Sequence, residues 1–155
     1  MRTTSEHEPL VDVDAQGRRL ALGTARVRAL ASLVLRRERV PHALLSIAFV
    51  SRRHIARLNR DHLGHRGETD VITFALDRPG PRAPLVGDIY IAPEVVRGQA
   101  RRHHVPAREE LARVVVHGVL HAVGHDHPDG DTRTASPMWT RQERYLALAR
   151  RRGVL

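Results

Sequence analysis

The stretch His117-Gly118-Val119-Leu120-His121-Ala122-Val123-Gly124-His125-Asp126-His127 decides how this chain is read. It closes a run from Pro106 to Val123 that is apolar over most of its circumference, the pattern of a buried helix. His117 and His121 are four residues apart, so one helical turn sets both imidazoles on one face within reach of a single ion. Gly124 ends the helix, the chain turns, and His127 can return as a third ligand. Three neutral imidazoles make a tetrahedral zinc site whose fourth position is open to water, the catalytic rather than the structural arrangement. The chain carries 11 His, so close pairs also arise by chance, and His103-His104 is read as a solvated helix end. A lone His in a buried helix is usually a hydrogen-bonded core residue. Three His joined by a helix-ending Gly are harder to explain that way.

Outward from this stretch, the rest of the chain punctuates into alternating elements with no internal repeat and no long linker. Leu10 to Asp14 alternates apolar and acidic residues, as a half-buried strand does. Leu20 to Arg36 carries Leu20, Val27, Leu30, Val34 and Leu35 at helical spacing with Arg at other positions, an amphipathic helix. Leu44 to Val50 is a compact apolar strand. Ser51 is a natural N-cap for a helix to about Leu63, and Gly64 and Gly67 mark the loop after it. Val71 to Leu76 and Gly87 to Ile91 read as strands separated by a Pro- and Gly-rich surface loop, Asp77 to Pro84. Pro93 opens a helix to about His103. Pro106 opens the next, with Glu109 and Glu110 favourably placed in its first turn. A polar loop from Asp126 to Ser136 leads to a last helix, Pro137 to Arg152. The order predicts one sheet and several helices in a single domain spanning 1–155.

Composition narrows the chemistry. The chain has no Cys, so a transition metal must be held by His and carboxylates. Aromatic residues make up only 3%, which leaves Leu, Val, Ile and Ala to build the core and does not point to extensive base stacking. The polar segment Met1 to Pro9, with Glu6, His7 and Glu8 in a row, has no apolar centre of the kind a signal peptide needs. No apolar run approaches a membrane span. A cytoplasmic protein is expected, with no membrane partner. The formal net charge is +9, which favours polyanionic partners, nucleic acid foremost. All 26 basic residues are Arg, a sign of compositional bias. Bias replaces Lys by Arg but does not by itself create an excess over 17 acids. Arg52, Arg53, Arg57 and Arg60 share one helix and Arg97, Arg101 and Arg102 another; they are candidate phosphate contacts, or simply solvated helix faces.

The histidine spacing coincides with the metzincin signature H-E-x-x-H-x-x-G-x-x-H, but Gly118 stands where the general base Glu belongs. A Gly inside a helix costs about 1 kcal/mol relative to Ala, so close approach of another element to Gly118 is expected, and ordinary peptide hydrolysis is not. With Gly in that place, His117, Gly118, Leu120, His121, Gly124, Asp126 and His127 resemble the hallmark of the YbeY-type endoribonucleases, also described as rRNA maturation factors. Leu58-Asn59, Thr69-Asp70-Val71-Ile72-Thr73-Phe74 and Gly87-Asp88-Ile89-Tyr90-Ile91 resemble further blocks of that family. Met138 and Glu143 also fit, and the likeness covers about 40–150.

The resemblance implies a zincin-like α+β domain with a mixed sheet of about four strands and about five helices. It implies one zinc ion on His117, His121 and His127, and endonucleolytic cleavage of single-stranded RNA in 16S rRNA 3′-end maturation and ribosome quality control. It also implies the small ribosomal subunit, its proteins and a ribosome-associated GTPase as partners. Two alternatives stand beside it: a zinc hydrolase of peptides or another small substrate, and a non-catalytic ribosome assembly factor. Asp126 is a candidate general base or orienting acceptor, against a loop-capping role; a substrate oxygen or solvent could also serve as base. Asp70 and Asp88 read as turn residues at strand entries. The family arginine that follows the Leu-Asn pair falls at Leu63 here, and Arg66 is the candidate replacement.

Overall fold

The computed structural model describes residues 8–128 and 134–155. Glu6 and His7, and residues 129–133 of the loop expected from Asp126 to Ser136, lie outside the described residues. The order is β1 (Leu10–Asp14), α1 (Thr24–Arg37), β2 (Ala43–Phe49), α2 (Arg52–Leu63), β3 (Val71–Ala75), β4 (Leu85–Ile91), α3 (Pro93–Arg102), α4 (Ala107–Val123) and α5 (Pro137–Arg151).

Alternation along β2 buries Ala43, Leu45, Ile47 and Phe49 on one face, the period-2 pattern of a strand with one covered side. The sheet order is β1-β2-β4-β3. β1 and β4 both pair parallel with β2, and β3 pairs antiparallel with β4. The expected mixed sheet of an α+β domain is therefore present, with four strands and five helices among the described residues.

Helix α4 is the centre of the fold. Val114, Val115, Val116, Val119 and Leu120 are at most 3% exposed, and the helix packs on α1, α3, α5, β3 and β4. A run of β-branched Val is a modest helix former, so burial rather than propensity holds α4 together. A smaller cluster of Val50, Ile55, Ile72 and Ala92 packs with Leu58 of α2 against the sheet.

Two boundaries differ from the sequence reading by more than one residue. Helix α1 begins at Thr24 rather than Leu20, because Gly23 is extended (φ −62°, ψ 156°) and acts as its N-cap. Leu22, 1% exposed, enters the core from the preceding loop. Strand β4 begins two residues before Gly87, because its parallel pairing starts at Ala43↔Leu85. Ser51 caps α2 as expected, accepting from His54 N at 3.1 Å. No helix among the described residues is long and apolar enough to cross a membrane.

Candidate metal centre

The last turns of α4 carry His117 and His121 side by side, with Nε2 atoms 3.0 Å apart. Gly124 adopts a left-handed conformation (φ 115°, ψ 5°), which favours a residue without Cβ. Its N–H donates to the Leu120 and His121 carbonyls, and His125 N donates to Leu120 O. This helix end reverses the chain and returns His127, whose Nε2 stands 3.2 Å from His117 Nε2.

The opposite ring nitrogens show what this cluster is for. His117 Nδ1 lies 2.8 Å from Gln142 Oε1, His121 Nδ1 3.0 Å from the His125 carbonyl, and His127 Nδ1 2.8 Å from the Pro128 carbonyl. Each partner is an oxygen acceptor, so each Nδ1 carries the proton and donates it. The Gln142 amide is oriented by its own Nε2, which donates to Glu143 Oε1 at 3.3 Å. In the neutral rings all three Nε2 atoms then present lone pairs to one another with no proton between them. That arrangement is repulsive unless a cation lies among them. In a tetrahedral site with Zn–N bonds of 2.0–2.1 Å, the nitrogens would sit about 3.3 Å apart, close to the contacts seen. Burial, followed by the facing His127, holds the His121 imidazole below its ordinary value and so favours the neutral ligand form. The donor set fits a divalent transition metal.

The three His stand in an open cleft of about 710 Å³ whose wall also includes Asn59, Leu63, Asp70, Thr73, Arg78 and Asp126. Asp126 is exposed, and its Oδ1 accepts from His127 N at 2.8 Å; the loop-capping role is present, and its second oxygen makes no hydrogen bond among the described residues. Arg66 is exposed on the loop between His65 and Thr69. Those two neighbours line the cleft but Arg66 does not, whereas the half-buried Arg78 does. Leu63, the position at which the resemblance led to the expectation of an arginine, also lines the wall.

Gly118 is pressed onto the sheet. A Cβ there would stand 2.9 Å from Ile89 Cγ2 and 3.3 Å from Val71 Cγ2, and Thr73 Oγ1 donates to the Gly118 carbonyl at 3.2 Å. Position 118 therefore faces packed strands, which explains the Gly where the metzincin pattern has Glu.

Sequence reasoning missed three contributors. Gln142, 1% exposed, orients His117 from α5, and nothing local to Gln142 signals this. Arg78 sits in what reads as a plain Pro- and Gly-rich loop. Glu38, at the end of α1, accepts from Tyr145 OH at 2.8 Å and Arg141 at 3.2 Å and lies 3.3 Å from His125 Nε2. It thereby ties the metal-binding loop to two helices.

A mixed α+β sheet under a helix that presents two His to a third at the floor of a cleft defines a zincin-like metal-binding domain. The family described as Endoribonuclease YbeY matches residues 14–150, and the chain belongs to that family. A Treponema pallidum protein named Endoribonuclease YbeY is 41% identical over 119 residues, covering 74% of this chain and 73% of that protein. A protein of the same name from Kineococcus radiotolerans is 36% identical over 140 residues, covering 85% and 79%. The solution structure of a Thermotoga maritima protein is similar at a TM-score of 0.58 with 28% identity, covering 88% of this chain and 87% of that one.

Proposed function

We propose that the chain, acting as one domain over 1–155, is a zinc-dependent endoribonuclease that hydrolyses single-stranded RNA. The observation that carries this reading is the set of three Nε2 lone pairs converging within an open cleft, in a protein of net charge +9. Zinc held by His117, His121 and His127 would supply Lewis acidity to a phosphoryl oxygen and bring the pKa of water towards about 7.

The chain's own residues do the rest. Gln142 and the His125 and Pro128 carbonyls keep the imidazoles in the ligating tautomer. Asp126, with one carboxylate oxygen fixed on His127 N, offers the other to take a proton from attacking water. Arg78 on the cleft wall neutralises phosphate charge, with Arg66 a second cation at the rim. Because position 118 faces Ile89 and Val71, no glutamate-type peptidase base is supplied there, which disfavours peptide hydrolysis.

The family likeness and the charge support rRNA as substrate, at the 16S rRNA 3′ end and in ribosome quality control. The small ribosomal subunit, its proteins and a ribosome-associated GTPase as partners, and the cytoplasm as the compartment, rest on the family likeness alone. The test is cleavage of single-stranded RNA by stringently purified protein, with and without chelator, beside a folded His121→Ala variant. Cleavage that needs both metal and His121 is expected. Equal cleavage by the variant would mean a contaminating nuclease. Stoichiometric zinc binding by a wild type that leaves both free RNA and small-subunit particles uncut would overturn the ribonuclease assignment.

A further inference from the structure

A second cavity, of about 310 Å³, lies on the other side of His117 and shares His117 and Asp70 with the metal cleft. His117 is the partition between the two: its Nε2 meets the other imidazoles, and its Nδ1 donates to Gln142, which lines the second cavity. Val105, Val114 and Trp139 give this cavity apolar walls. Trp139 is the single Trp of the chain. It is half-buried and placed by the N-cap of α5, where its backbone N–H donates to Ser136 Oγ at 3.2 Å.

The charges around this cavity decide what it can hold. Asp70 and Glu110 both line it. Arg113, the one guanidinium of its lining among the described residues, is enclosed by Glu143, Glu110 and Glu109 at 2.7, 2.8 and 3.1 Å, so its charge is already matched; the exposed His103 also lines the cavity. A phosphate would be repelled here and drawn instead to the cleft with Arg78 and the metal ligands. What fits is a flat, neutral ring that stacks on an indole and offers N–H groups to carboxylate and amide oxygens. The size lies at the lower end of small-molecule sites, about 300–1,000 Å³.

We propose that this cavity receives the nucleobase next to the scissile phosphate, stacked on Trp139, while the phosphate lies at the three His. The inference rests on the endoribonuclease reading and adds a specificity site to it. It also gives a physical reason for single-strand preference: a base engaged in a duplex must leave the stack before it can enter such a pocket.

The single Trp makes the test direct. Zinc-loaded protein is titrated with nucleoside monophosphates and, separately, with ribose 5-phosphate, while Trp139 emission is followed. Saturable quenching by nucleotides and none by the base-free sugar phosphate is expected. Val105→Phe, which fills the cavity and keeps the reporter, should abolish the quench and raise KM for a single-stranded RNA at least about fivefold, the scale of one stacked base, with zinc affinity and melting temperature unchanged. Trp139→Ala should raise KM similarly and covers the case in which Val105→Phe fails to fold. Wild type that cleaves RNA with unquenched emission, and variants that cleave like wild type, would overturn the base pocket and leave the ribonuclease reading standing. Wild type that neither cleaves nor binds RNA would overturn both.

Discussion

Replacing Gly118 by Ala asks whether α4 is pressed against the sheet as tightly as its contacts indicate. The added Cβ would stand 2.9 Å from Ile89 Cγ2 and 3.3 Å from Val71 Cγ2, inside the roughly 3.5–4.0 Å at which carbon atoms rest. Ile89 is 0% exposed in the middle of β4, and its Cγ2 is bonded directly to Cβ, so a rotation of the chain end does not relieve the contact. The Thr73 hydroxyl on the Gly118 carbonyl ties helix and strand at the same level. Ala contributes about 1 kcal/mol of helix propensity over Gly, and overpacking costs about 1–3 kcal/mol. The net is a loss of about 0–2 kcal/mol, where an open helix position would gain about 1. In a domain of this size each kcal/mol moves Tm by roughly 2–4 °C. The assay is thermal and urea unfolding in chelator, so that metal binding to the native state adds nothing by mass action. In an Ile89→Ala background, itself about 2–5 kcal/mol less stable, the same Gly118→Ala change should become stabilising. A Tm rise of about 3 °C for Gly118→Ala alone, with no coupling to Ile89, would refute the close-packing account of this Gly.

Gln142→Leu should weaken zinc binding about 10- to 100-fold by releasing the His117 Nδ1–H, measured by competition with a chelating dye; Gln142→Glu, which keeps an acceptor, should recover much of it, and equal affinity for all three would count against the tautomer argument. Burial pushes the Glu38 carboxyl up, but the Tyr145 and His125 hydrogen bonds and the Arg141 charge outweigh it and hold it below 4.5. Glu38 therefore adds stability that is present above pH 4.5 and is lost as pH falls through its lower folded value. Urea midpoints of wild type and Glu38→Gln should converge on acidification, and a constant gap would show that Glu38 does not titrate as stated. Affinity for a single-stranded RNA should fall with salt, and Arg78→Ala should reduce the log–log slope by about 0.7, one phosphate contact; an unchanged slope would remove Arg78 from the phosphate path.

What was legible in the sequence is what short-range chemistry writes into it. The i, i+4 spacing of His117 and His121 and the left-handed Gly124 are local features, and they alone bring two imidazoles together and send the chain back with the third. Ser51 as a cap and the alternation in β1 are local in the same sense. The missing parts are long-range. Gln142 meets His117 across 25 residues and Glu38 meets His125 across 87, so no window of sequence holds both partners. Strand order is equally non-local: β3 reads as a strand, but only the packed sheet shows that it turns antiparallel against β4. That placement puts Val71 and Ile89 under Gly118. Gly118 joins the two kinds of information. The sequence shows a glycine where a base is expected and implies a close approach, and the structure supplies the neighbour that approaches. The metal site is thus made by local spacing, while its surroundings, and with them the choice of reaction, are made by tertiary contact.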